Sequence, residues 1–100
     1  MVKHVVMWKL KGLDEGYDPR ITSLKLKETL ESMGGQIEGL VSIQAGINKN
    51  ESSDAYDVCL ISEHRTWQDL KNYQEHPLHK KVAEFVTEIR KARKVVDYEY

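Results

Sequence analysis

One hundred residues suit a single domain, residues 1–100, and a chain this short buries a modest share of its surface and gains from a partner. Fifteen Lys and Arg against 16 Asp and Glu leave a net charge of −1, without the basic excess that a nucleic-acid binder uses to neutralise phosphates. No run of about 18 apolar residues is present to span a membrane; the N-terminal stretch lacks the apolar core and cleavage site of a signal peptide, and a lone Cys59, with no partner for a disulfide, fits a cytoplasmic setting.

Val2 to Leu10 predicts a strand, and Val5-Val6-Met7-Trp8 is apolar on both faces, as in the middle of a sheet. Lys11 to Tyr17 is a polar turn. Asp18-Pro19 then opens a helix, since Asp caps free amides and Pro fits the first helical position. Ile21, Leu24, Leu26, Leu30, Met33 and Ile37 follow at helical spacing, and Gly34-Gly35 is placed to end the helix. From Leu40 to Asn48, apolar Val41, Ile43, Ala45 and Ile47 alternate with polar or small residues, the pattern of an edge strand wet on one side. Lys49 to Asp54 is a polar loop.

Tyr56 to Ser62 predicts a third strand, with Val58-Cys59-Leu60-Ile61 again apolar on both faces and Cys59 a small buried apolar residue. His64 is expected on the surface before the next helix. Thr66 caps that helix, with Asp69 in the capping-box position, and Trp67, Leu70 and Tyr73 share one face. Pro77 holds His76 extended and starts a new helix, whose apolar stripe is Leu78, Val82, Phe85 and Ile89. Lys91, Arg93 and Lys94 crowd its end, where positive charge favours the helix dipole. Val95 to Tyr100 is a final strand.

The order β-α-β-β-α-β, with the second helix broken at Pro77, predicts an α+β, ferredoxin-like fold on an antiparallel sheet. The first and third strands take the centre in that arrangement, and these are the two with apolar runs on both faces. The helices cover one face only. A second copy, packed sheet against sheet about a two-fold axis, is the simplest cover for the other, so a homodimer is expected. Asp57 and Glu63 alternate with Cys59 and Ile61 and are expected to flank that contact.

The chain resembles the stress-responsive dimeric α/β-barrel (Dabb) family over essentially its whole length. The residues that carry the resemblance are Val2-Lys3-His4-Val5-Val6, Tyr56-Asp57, Tyr73 with His76-Pro77-Leu78-His79, and Val95-Val96-Asp97-Tyr98. The resemblance implies a ferredoxin-like unit whose sheet pairs with its twin to close a barrel. One branch is similar to the plant polyketide cyclases, which close linear polyketones by aldol condensation without metal or organic cofactor. There, positions matching His4, Tyr73 and His79 line a cavity between sheet and helices. The first helix departs from that branch, with Leu24, Lys25, Glu28 and Thr29 in place of an aromatic-rich wall.

These three residues are the candidate catalytic site. His4 alternates with Val2, Val6, Trp8 and Leu10 and so shares a face with an apolar set; burial there favours a neutral imidazole that acts as a base or holds a ligand hydroxyl. The other reading, favoured because buried histidines usually satisfy their own hydrogen bonds, is a structural histidine tied to a backbone carbonyl or to Tyr73. His79 lies in the first turn of the last helix, on the flank of its stripe, and either faces a ligand or packs to fix the helix break. The Tyr73 ring belongs to the core, and its hydroxyl either polarises a carbonyl or finds a protein partner. His76 and His79 invite a metal, but no Cys pair or acidic triad joins them, and no metal site is expected. Without a Gly-rich phosphate loop, nucleophile elbow or carboxylate pair, no cofactor is expected either.

The leading functional reading is a small homodimeric protein with a cavity for an apolar or aromatic metabolite and cofactor-free acid–base activity. The rivals are a non-catalytic stress-associated structural or accessory protein, and a cofactor-independent monooxygenase-like enzyme on a similar architecture.

Overall fold

In the computed structural model, which describes residues 1–100, Val2–Leu10 forms β1, Pro19–Glu31 α1, Leu40–Ile47 β2, Val58–His64 β3, Trp67–Glu75 α2, Pro77–Ile89 α3 and Arg90–Glu99 β4, with a single 3-10 turn at Leu13–Glu15. The sheet is antiparallel throughout, in the order β2-β3-β1-β4. This is the ferredoxin-like arrangement with its second helix divided in two. The apolar runs of β1 and β3 do lie at its centre. The helix starts follow local chemistry. Asp18 accepts from the Arg20 amide and Thr66 from the Asp69 amide, each satisfying a donor that has no partner inside its helix.

All helices lie on one face of the sheet. On that face β1 contributes Val2, His4, Val6, Trp8 and Leu10, and β3 contributes Val58, Leu60, Ser62 and His64, all buried. Leu26 and Leu30 of α1, Leu70 of α2, and Val82, Val86 and Ile89 of α3 close over them. No helix is long and apolar enough to cross a membrane.

Several expectations are corrected. α1 ends at Glu31 with Ser32 as its C-cap, earlier than the Gly34-Gly35 pair, while Met33 and Ile37 are still buried, from the turns that follow. Ile21 and Leu24 face outward; the helix rests on the sheet through Leu26 and Leu30 instead. In β2 the register shifts between Leu40 and Ser42, so Val41 bulges out, exposed, and Leu40 takes the inward place. The sequence alternation missed this because a bulge inserts one residue without altering its neighbours' chemistry. Asp57 does not flank an open face: its carboxylate accepts from the Leu10 amide at 2.7 Å, which ties the end of β1. Cys59 is only half-buried, on the face without helices. Lys91, Arg93 and Lys94 belong to β4, since α3 stops at Ile89 and the chain extends at once, with Arg90 at φ −90° and ψ 149°.

Gly39 joins α1's closing turns to β2 at φ 85°, and a Cβ there would stand 2.4 Å from the Asp69 Cγ. Gly35, at φ 75°, has open space around it. Gly35→Ala should therefore cost only the left-handed backbone term, about 1–2 kcal/mol. Gly39→Ala should cost more, because the Asp69 side chain, held by Arg65, must move. Urea denaturation of the two variants checks the order; equal losses would show that Asp69 yields freely.

Candidate functional site

Strand register assembles the base of the site. His4 lies opposite Ser62 of β3 on one side and Asp97 of β4 on the other. All three belong to the helix-side set, because side chains alternate along each strand. His4 Nδ1 pairs with the Asp97 carboxylate. A carboxylate that accepts from Nδ1–H leaves Nε2 with the free lone pair. His4 is buried, whereas Asp97 lies on the sheet edge and keeps some exposure.

The helix break supplies the roof. His76 sits at φ −65° and ψ 137°, extended as the following proline demands, and its Nδ1 accepts from the Leu78 amide at 3.0 Å. It thus caps α3, which sequence reasoning did not assign to it. In one continuous helix, Tyr73 and His79 would point about 120° apart, since six residues make one and two-thirds turns. The break lets them meet, with ring centroids 4.6 Å apart and an edge-to-face tilt of 65°. The Tyr73 ring lies 6.2 Å from that of His4. The structure therefore brings His4, Tyr73 and His79 together.

It also brings in a residue the sequence reading placed on the surface. His64 is 0% exposed. β3 runs two residues past Ser62, and the alternation Val58, Leu60, Ser62, His64 turns the imidazole inward. Continuing that alternation was the available signal. His64 Nε2 bonds the Ser62 hydroxyl at 2.9 Å, and its ring lies 4.8 Å from that of Tyr73.

Three of these groups have buried polar atoms without a hydrogen-bond partner: His64 Nδ1, the Tyr73 hydroxyl and His79 Nδ1. Buried polar atoms are normally paired, and each orphan costs about 1–3 kcal/mol. His4, Tyr73 and His79 border a pocket of about 300 Å³ whose walls are otherwise mostly apolar, among them Val6, Leu60 and Val86. Larger but more open hollows lie beside Met7 and Cys59, about 480 Å³, and along Pro77 to Glu84, about 620 Å³. Neither brings two imidazoles and a phenol together.

Burial sets the protonation states. Desolvation, reinforced by the charge of His4, pushes the His64 pKa down to about 4. The same two causes, with Arg93 adding to them, lower His79. Desolvation raises the Tyr73 phenol well above its usual value; the Ser62 hydroxyl beside it works against this rise without reaching hydrogen-bond geometry. Near neutral pH the site thus holds neutral imidazoles at positions 64 and 79 and a phenol that keeps its proton. No three His, Cys, Asp or Glu side chains are grouped so as to hold a metal ion.

The stress responsive A/B barrel domain family matches residues 2–100. A dimeric protein of unknown function and ferredoxin-like fold from Bacteroides fragilis is 29% identical and superposes with a TM-score of 0.86, over 99% of this chain and 95% of that one. A dimeric ferredoxin-like protein of unknown function from Thermobifida fusca is 15% identical, with a TM-score of 0.84 over 99% of this chain and 90% of that one. The hydroxynitrile lyase of Passiflora edulis, 14% identical, has a TM-score of 0.73 over 97% of this chain and 90% of its own. No curated protein matches the chain.

The buried imidazoles make stability depend on pH. His64 has a folded pKa of about 4, below the ordinary histidine value of about 6.5. As pH falls below about 6.5, the unfolded chain takes up the proton first, so stability falls progressively toward pH 4, by up to about 3 kcal/mol for this residue. His79, also lowered, acts in the same direction. In urea titrations at pH 7 and pH 4.5, His64→Gln should show a smaller loss between the two than the parent chain. An equal loss would mean that other groups carry the acid sensitivity.

Proposed function

The chain belongs to the stress responsive A/B barrel domain family, and from that premise we propose that it is a homodimeric pocket protein performing acid–base chemistry on a small apolar or aromatic carbonyl compound, in the manner of a polyketide cyclase. The observation that carries the reading is the convergence of His4, Tyr73 and His79 on one apolar-walled pocket, with the Tyr73 hydroxyl and His79 Nδ1 free of protein partners. Tyr73 and His79 have the protonation states their roles require. A neutral imidazole, at His79 or at His4 Nε2, takes a proton from the carbon next to a carbonyl. The Tyr73 phenol, held protonated by burial, donates to the enolate oxygen as charge develops there. The enolate carbon attacks a second carbonyl, and the alkoxide formed recovers the proton from the imidazolium. Asp97 keeps the His4 ring oriented. That the ferredoxin-like architecture also serves a hydroxynitrile lyase supports an enzymatic use of such a fold, by analogy.

The dimer follows from the uncovered face of the sheet. Met7, Ile61, Val96 and Tyr98 all point there, Val96 being 59% exposed, and the hollow beside Met7 and Cys59 continues the same surface. A contiguous apolar face on a monomer of this size marks an interaction surface, and the Bacteroides fragilis and Thermobifida fusca neighbours are described as dimeric. One observation favours the non-catalytic alternative: Tyr73 is 0% exposed and packed against two imidazoles, as in a network that serves only the fold.

Light scattering at micromolar concentration should give twice the chain mass of 11.6 kDa. Ile61→Asp should shift the protein toward monomer, since it buries an unpaired charge at the contact; a wild-type monomer would sink the dimer proposal. For the chemistry, Tyr73→Phe, His79→Ala and His4→Ala should each lower turnover of a linear polyketone by about two to four powers of ten, with the dimer intact. Unchanged turnover across all three would return the triplet to a structural role.

A further inference from the structure

The same pocket has a second end, with different chemistry. Along β1 it runs from His4 past Val6 to Trp8, a distance of about 13 Å at the rise of an antiparallel strand. Trp8 is buried, and its indole Nε1 has no hydrogen-bond partner. That atom can only donate. Opposite Trp8 lies Arg93, and opposite Leu10 lies Arg90. In a regular strand, residues three apart point to opposite faces. Here the register shifts between Lys9 and Leu10, so that Lys91 is the extra residue of a bulge and both arginines lie on the helix side. Both line the pocket. Neither makes an ion pair or a side-chain hydrogen bond, whereas Arg20 and Arg65 each have a carboxylate partner. Arg93 is also near enough to His79 for its charge to act on that imidazole.

Two unpaired guanidinium groups and an orphan indole N–H beside an apolar cavity form an anion-binding set. Arginine matches a carboxylate with two parallel donors, and the apolar walls between Arg93 and His4 suit a hydrocarbon or aromatic body. A pocket of about 300 Å³ sits at the small end of the ligand-site range of about 300–1,000 Å³. We infer that the pocket takes a small carboxylic acid with an apolar body, its carboxylate held by Arg90, Arg93 and the Trp8 indole, and its other end presented to His4, Tyr73 and His79. This rests on the acid–base reading only for what happens at the far end.

The test uses 4-butylbenzoate and its neutral primary amide as probes, titrated calorimetrically into the purified protein at pH 7. The acid should bind about ten-fold or more tightly than the amide, as charge-assisted contacts to arginine imply. In the Arg90→Met/Arg93→Met double variant the acid should fall to the level of the amide, while the affinity for the amide stays as in the parent; this second measurement shows that the apolar pocket has survived. Equal binding of acid and amide to the parent, a preference that persists in the double variant, or no binding of either probe at millimolar concentration would overturn the inference. Tyr73→Phe separates this proposal from the catalytic one. It should retain the preference for the acid even where it abolishes turnover; loss of the preference in Tyr73→Phe would place the anion at the histidine end and overturn the assignment to the arginines.

Discussion

His4 lies between Ser62 and Asp97 in a row that crosses three strands, and this register is what the rest of the molecule depends on. Strand side chains alternate with a period of two, so a slip of one residue would turn Val2, Val6, Trp8, Leu60 and His64 away from the helices together. The hydrophobic effect therefore sets the register through the aliphatic neighbours, and the polar row is carried along with them. The His4–Asp97 pair follows from packing rather than causing it. Asp97 sits on edge strand β4, where the carboxylate reaches inward while keeping contact with water. That lowers the desolvation penalty a fully buried carboxylate would pay.

The site carries a thermodynamic load. Ordinary cores pair their polar atoms; here an imidazole nitrogen, a phenol and an indole on residues that line the pocket do not. Neutral histidines and a protonated tyrosine are what burial favours, and they are also the states useful for moving a proton at neutral pH. The same environment thus penalises the fold and prepares the chemistry. Local stability and reactivity are opposed at these positions, as is common where side chains are held ready for a ligand.

Irregularities in the backbone aim the side chains that matter. The Pro77 break turns Tyr73 toward His79, the bulge at Lys91 puts Arg90 and Arg93 on one face, and the bulge at Val41 sends Leu40 inward. Each re-directs side chains without altering the topology. The uncovered side of the sheet is different in kind: it is regular, with Val5, Met7, Ile61, Val96 and Tyr98 forming an apolar patch among Lys3, Ser42 and Glu63, the form of a surface made for another regular surface.

Much of the architecture was legible in the sequence, because it is written in short-range terms. The apolar runs of β1 and β3, the Asp18-Pro19 and Thr66 helix starts and the Pro77 break depend on residues adjacent in the chain, and they sufficed for the ferredoxin-like order and for placing His4 on the core face. Tyr73 and His79 stood out through the resemblance to the polyketide cyclases, together with the apolar faces on or beside which they fall. What the sequence could not settle were contacts between residues distant in the chain and shifts that leave no local mark. His64 looked like a surface residue because the strand was stopped two positions early. Asp97 and Arg93 meet His4 and Trp8 only through a pairing between the two ends of the chain, 93 and 85 residues apart. The bulges at Val41 and Lys91 show only in the cross-strand register, which is a tertiary property. Local propensity determined which elements form and which faces they bury; cross-strand register and packing alone decided which polar atoms meet across the pocket and which are left without partners.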